Sequence, residues 1–202
     1  MAKTKSSLTN MVVVLVGFAL AIAALLAWVN HVTEGPIAAK AEKTLADGIK
    51  KVMAAGDIKV TKTDTVRQMV EGKENVYVVY SVADKAGDSR GAAVECATLG
   101  FGGNMRVLVG FDNGGNILGY SILEHAETPG LGAKAQAWFQ KGAKGDIIGM
   151  NPAKGALTVT KDGGQVDAIT ASTITSRAFL KAVNEAYKAY AAKTNGQRAA
   201  NE

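Results

Sequence analysis

Nineteen consecutive uncharged residues, Met11 to Val29 (MVVVLVGFALAIAALLAWV), constrain this chain more than any other feature. At about 1.5 Å rise per residue, a helix of that length covers roughly 28 Å, enough to cross the hydrocarbon of a bilayer. A cleaved signal peptide has a shorter apolar region, about 7 to 15 residues, ending at a small-x-small site. Here Trp28, Asn30 and His31 read as an interfacial anchor, so a retained span is expected. Lys3 and Lys5 precede the run, while His31, Thr33 and Glu34 follow it. The positive-inside rule then leaves the N-terminus in the cytoplasm and exports everything from about Asn30 onward.

The remainder is long enough for one compact domain. Hydrophobic residues make up 48% of the 202, charged residues only 20%, and 23 glycines against 3 prolines promise many tight turns. The 23 basic residues are scattered among 18 acidic ones without a basic stripe or interleaved aromatics, so no nucleic-acid partner is expected. Cys96 stands alone and reads as a small, half-buried strand residue. His31 reads as interfacial and His125 as a surface residue. With no cysteine pair and no spaced carboxylate set, no metal site is expected.

Periodicity gives an α+β class. Thr33–Ala55 has a capping Thr, an early Pro36 and apolar residues at helical spacing. Asn75–Ala83, Gly91–Leu99, Met105–Phe111 and Asn116–Leu123 read as strands. The turn signals DNGG at 112–115 and DGG at 162–164 predict hairpins, the second joining Ala156–Lys161 to Gln165–Thr170, so the sheet should be mainly antiparallel. Ala133–Lys141 reads as a short helix and Ser172–Lys193 as a long one. The tail from Thr194 reads as disordered. The expected organisation is therefore an N-terminus and transmembrane anchor over 1–30, an exported domain over 31–194, and a disordered tail over 195–202.

Two segments carry the chemistry. Gln165–Ser176 (QVDAITASTITS) is a short strand followed by Thr and Ser residues where the terminal helix begins. Free N–H groups at a helix start suit a phosphate, yet Ser and Thr are also ordinary caps, and local physics alone favours the cap. Glu127–Lys134 (ETPGLGAK) reads by itself as a type II turn before a helix. No GxxxxGK[ST] occurs, which excludes a Walker-type phosphate loop.

Together the two segments resemble a known family. Asp167, Thr170 and Thr173 match the DxxTxxT acceptor motif of proteins that receive FMN from a flavin transferase. TASTITS at Thr170–Ser176 resembles the SGATxTS motif of the FMN-binding domain found in the G subunit of Rnf complexes and in the C subunit of the sodium-pumping NADH:quinone reductase. ETPGLG matches the same family without a departure, and GFGG from Gly100 resembles its glycine-rich turn, so the resemblance runs over roughly 90–190. Two residues depart from the pattern: Ala171 stands where glycine is usual, and Ser172 where alanine is usual.

The resemblance implies FMN joined by a phosphodiester to Thr173, with Thr170, Ser172 and Thr175 as rival attachment sites. It places Glu127, Thr128, Gly130, Leu131 and Gly132 at the flavin: Leu131 packing on the ring, Thr128 hydrogen-bonding near it, and the two glycines letting the backbone approach. Lys134 reads either as balancing flavin or phosphate charge or as a solvated lysine on the helix face. Asp167 would serve transferase recognition or capping. The function implied is an electron-transfer subunit of an ion-translocating ferredoxin:NAD+ oxidoreductase (Rnf) in a bacterial inner membrane, an enzyme only as part of that complex. Its partners would be the complex's other membrane, iron–sulfur and flavin subunits and, for maturation, the transferase. The quinone reductase's C subunit, a membrane-tethered flavin-binding regulatory module, and a flavin-free structural domain are the competing readings.

Overall fold

The structure, a computed structural model, describes residues 8–54, 58–70 and 72–199. Lys3 and Lys5, the expected helix end at Ala55 and the last tail residues, 200–202, lie outside them. The chain divides into two compact units, Met1–Thr44 and Leu45–Glu202.

The first unit belongs to helix α1 (Leu8–Val52), which continues into the second. Instead of a span followed by a separately capped helix, α1 is one 45-residue element with Pro36 inside it. Thr33 does not cap. Its hydroxyl donates back to the carbonyls of Val29 (2.8 Å) and Asn30 (3.2 Å), a bond that lets Thr sit within a helix. Every residue of the apolar run is exposed, as a lipid-facing surface would be, and the helix is long and apolar enough to cross a membrane.

The second unit is built on five strands: β1 (Ile58–Val70), β2 (Lys73–Asp84), β3 (Ser89–Leu99), β4 (Asn104–Phe111) and β5 (Ile117–His125). They pair in sequence order, each antiparallel to the next. The expected strands β2 to β5 are all present and slightly longer; β1, an edge strand rich in Lys, Thr and Asp, had no expectation attached. Both faces are covered. Toward one face Ile49, Val52 and Met53 from the end of α1 pack on Val82, Ala93 and Leu108. The paired glycines Gly110 and Gly119 admit that end closely: a Cβ on either would stand 2.4 or 2.9 Å from the Val52 carbonyl oxygen. Toward the other face lies the larger core under α3 (Thr173–Ala199), with Phe179, Val183, Ala186 and Tyr190 facing Val94, Cys96, Val107 and Val109. Covering on both sides explains why β4 reads MRVLVGF, almost continuously apolar instead of alternating. Cys96 is fully buried, more than expected, and burial pushes its thiol pKa well up.

The expected helix over Ala133–Lys141 is a 3-10 turn (Gly132–Lys134) followed by a single α-turn, α2 (Ala135–Trp138). It is held by Tyr120, whose hydroxyl donates to the Ala135 carbonyl at 2.6 Å and accepts from Phe139 N–H at 3.2 Å. Phe139 then stacks on Phe179 at 4.5 Å between centroids. The expected hairpin around DGG does not form. Its flanks meet in one parallel bridge, Val159 with Val166, and Thr160–Asp162 is a 3-10 turn ended by Gly163 in the left-handed region (φ 82°). Leu157, Val159, Val166 and Ile169 are each buried, so this segment follows the core and not a ladder. Helix α3 continues to Ala199, past the point where the tail was expected to begin.

Candidate functional site

Three loops of the second unit meet around one buried carboxylate. The first is the β3–β4 turn, closed by a bond from Gly100 N–H to the Gly103 carbonyl at 2.8 Å. The second follows β5: Thr128, Pro129, Gly130 and Leu131 make the expected turn, with Leu131 N–H donating to the Thr128 carbonyl at 3.2 Å and Gly130 at φ 76°. The third is the start of α3, where the Ser172 carbonyl accepts the first helical N–H, from Ser176 at 3.1 Å, and also the Ser176 hydroxyl at 3.0 Å. Ser172 is thus the cap position, and the N–H groups of the next three residues have no acceptor within the helix. The Ser176 hydroxyl in turn accepts from Ile169 N–H at 2.9 Å, fixing the approach of the chain to the helix.

Glu127 ties the three together. Its Oε1 accepts from Gly102 N–H at 3.1 Å and its Oε2 from the Thr175 hydroxyl at 2.7 Å, while Thr175 Oγ1 accepts from the Ser172 hydroxyl at 3.0 Å. Glu127, Thr175 and Ser172 are 6%, 0% and 9% exposed, so these bonds are what make their burial tolerable. A Cβ on Gly100 or Gly132 would stand 2.1 Å from one or the other carboxylate oxygen. Gly132 thus leaves room for the Glu127 carboxylate, and it also lines the cavity that opens between the three loops. Ala171, where glycine is usual in the motif, does take a left-handed conformation (φ 61°), so the turn is made at the cost of some strain.

Between these loops opens a cavity of about 430 Å³, within the size range of small-molecule sites. Glu127, Thr128, Leu131, Gly132, Ser172 and Thr173 line it, so six of the nine expected residues come together. Gly130, Lys134 and Thr170 stand outside it, all exposed: Gly130 forms the turn's corner, and Lys134 ends the 3-10 turn that follows. Phe101, Leu131 and Ile174 leave apolar surface at its rim, 69%, 41% and 56% exposed, which a flat aromatic ligand would cover. Thr173 is half-buried, and its hydroxyl accepts from Lys161 Nζ at 3.2 Å. Lys161 thereby brings a cation to the helix start. Nothing in the sequence marked Lys161, nor Phe101 and Ile174, because their place depends on how the loops close.

Asp167 does not cap α3. Its carboxylate accepts from the Thr160 hydroxyl at 3.3 Å, and its backbone carbonyl from the Trp138 indole N–H at 2.8 Å. One helical turn beyond Thr173, Arg177 makes a two-pronged pair with Asp162, at 2.7 and 2.6 Å, and the guanidinium holds that carboxyl below its usual pKa. Among the described residues no group of His, Cys, Asp and Glu could hold a metal ion.

The cavity is open and apolar-rimmed, with the Thr173 hydroxyl inside it and the Lys161 ammonium on that hydroxyl, features a flat ligand carrying a phosphate would use. Residues 100–188, which include every residue lining the cavity, match the FMN-binding domain family. The chain is 33% identical to the G subunit of the ion-translocating oxidoreductase complex of Cereibacter sphaeroides, over 83% of its own length and 77% of that protein's. It is 34% identical to the G subunit of Vibrio parahaemolyticus (82% and 81% covered) and 35% to that of Shewanella oneidensis (84% and 82%). The chain belongs to this G-subunit family.

Proposed function

We propose that this protein is the FMN-carrying electron-transfer subunit of a membrane-bound, ion-translocating ferredoxin:NAD+ oxidoreductase complex, and that Thr173 carries the flavin through a phosphodiester. The observation that carries the assignment is the unequal state of the four hydroxyls at the helix start. Ser172 and Thr175 are buried and committed to the Glu127 chain, and Thr170 stands outside the cavity. Thr173 alone among them both lines the cavity and offers its oxygen to a cation.

For attachment, the Thr173 oxygen would attack the flavin-side phosphorus of FAD. The Oγ–P bond forms, the pyrophosphate P–O bond breaks, AMP leaves, and the hydroxyl proton passes to a base of the flavin transferase. FMN, once bound, supplies one- and two-electron redox chemistry. The protein's part would be to hold it: Phe101, Leu131 and Ile174 would cover the ring and Thr128 would offer a hydroxyl, while Glu127 fixes the three loops in register. A covalent tether suits a domain on the far side of the membrane, where a dissociated cofactor is lost to bulk. That placement is supported by the basic Lys3 and Lys5 ahead of the span. The remaining subunits of the complex would donate and accept the electrons.

Coexpression of the full chain with an active flavin transferase, followed by denaturing-gel fluorescence, tests this. A fluorescent band kept in Thr170→Ala and Thr175→Ala but lost in Thr173→Ala is expected. Absence of a band in the wild type would overturn the proposal.

A further inference from the structure

We propose that Lys161 is the counter-cation of the phosphodiester on Thr173, an inference that rests on the attachment proposed above. Lys161 and Thr173 are 12 residues apart, yet the ammonium donates to the threonine oxygen at 3.2 Å. That contact is prepared by the fold. Lys161 sits in the middle of the 3-10 turn Thr160–Asp162, whose ends are held by the Thr160 N–H bond to the Val166 carbonyl (2.8 Å) and by Gly163. Its neighbour Asp162 is pinned by two bonds to Arg177, on the helix that begins with Thr173. The turn bearing the ammonium is thus stapled to the helix bearing the hydroxyl.

A neutral threonine has no need of a charged partner. A phosphodiester on the same oxygen adds one full negative charge, shared by two non-bridging oxygens next to the atom that Lys161 already touches. The nearby carboxylates are otherwise engaged, Asp162 with Arg177 and Asp167 with the Thr160 hydroxyl. An ammonium is a compact charge with three donors on a flexible stem, which suits it to follow the charge from the threonine oxygen to the phosphate oxygens bonded next to it.

The test uses the full-length chain coexpressed with an active flavin transferase and purified in detergent, as wild type, Lys161→Ala and Lys161→Arg. Intact mass gives the loaded fraction, and the phosphorus-31 resonance of the loaded protein reports the environment of the diester. The wild-type resonance is expected to stand away from its position in the same protein denatured. In Lys161→Ala it should fall back toward the denatured position, and Lys161→Arg should restore it. Loading lost in Lys161→Ala and recovered in Lys161→Arg would also support the assignment. If native wild type and Lys161→Ala resonate together, or if both variants fold but neither loads, the role of the charge is overturned while attachment at Thr173 stands. A wild type that acquires no adduct overturns the attachment itself, and this inference with it.

Discussion

Replacing Gly100 by alanine tests whether the glycine loop is shaped around the Glu127 carboxylate. A Cβ at Gly100 would stand 2.1 Å from Glu127 Oε1 and 3.2 Å from Cδ, and its next neighbour, the Gly103 carbonyl oxygen, lies at an ordinary 3.4 Å. Backbone strain is no obstacle, since Gly100 is not in the left-handed region. The carboxylate would have to leave its seat, giving up at least one of its bonds from Gly102 N–H and the Thr175 hydroxyl. Bonds to a charged group contribute about 1.5–3 kcal/mol each, so the cost should be about 2–3 kcal/mol. In a Glu127→Ala background the obstacle is gone, and the same change should be neutral or gain roughly 0.4–1 kcal/mol by restricting the unfolded chain. The coupling between the two sites is then about 2 kcal/mol or more. For a domain of this size that corresponds to roughly 4–12 °C in melting temperature for Gly100→Ala alone. Thermal unfolding of the flavin-free chain and its three variants, followed by circular dichroism, measures the cycle. Equal losses from Gly100→Ala in both backgrounds would refute the reasoning.

Other changes address the neighbouring features. Ala171→Gly should raise the melting temperature, because left-handed backbone at φ 61° costs a residue with a Cβ about 1–2 kcal/mol; an unchanged or lower value would mean that no strain is stored there. The Arg177 pair holds the Asp162 carboxyl below its usual pKa, so its contribution to stability is present above about pH 4 and fades as pH falls through the folded value. Acid titration of stability should therefore show wild type above Asp162→Asn at neutral pH and the two converging in acid; a difference independent of pH would contradict this. Cys96 should resist a maleimide in the native protein at neutral pH and react fully in denaturant, because burial disfavours its thiolate. Rapid native labelling would contradict its place in the core.

The strands legible in the sequence were those that send side chains into both cores. β2 to β5 lie under α3 and the end of α1, and their Val, Ile and Tyr content follows from that burial. β1 was not legible because it is an edge strand, mostly exposed, with a composition close to that of a loop. The DGG segment misled for a related reason. Its turn signal was real, but its valines are drawn separately into the core, so a left-handed Gly163 ends a 3-10 turn instead of closing a hairpin. At the site, Thr173 and the ETPGLG loop were legible through their motifs. The partners were not: Lys161 meets Thr173 only because Asp162 and Arg177 close the turn onto the helix. The burial that separates Thr175 and Ser172 from Thr173 likewise depends on Glu127 arriving from another loop.

Peptide mass spectrometry of the full chain, coexpressed with a flavin transferase of demonstrated activity, tests the central claim most directly. The result expected is an FMN phosphodiester on the peptide that contains Thr173, with fragment ions placing it on that residue. An adduct on Thr170, Ser172 or Thr175, or unmodified peptide throughout, would contradict it.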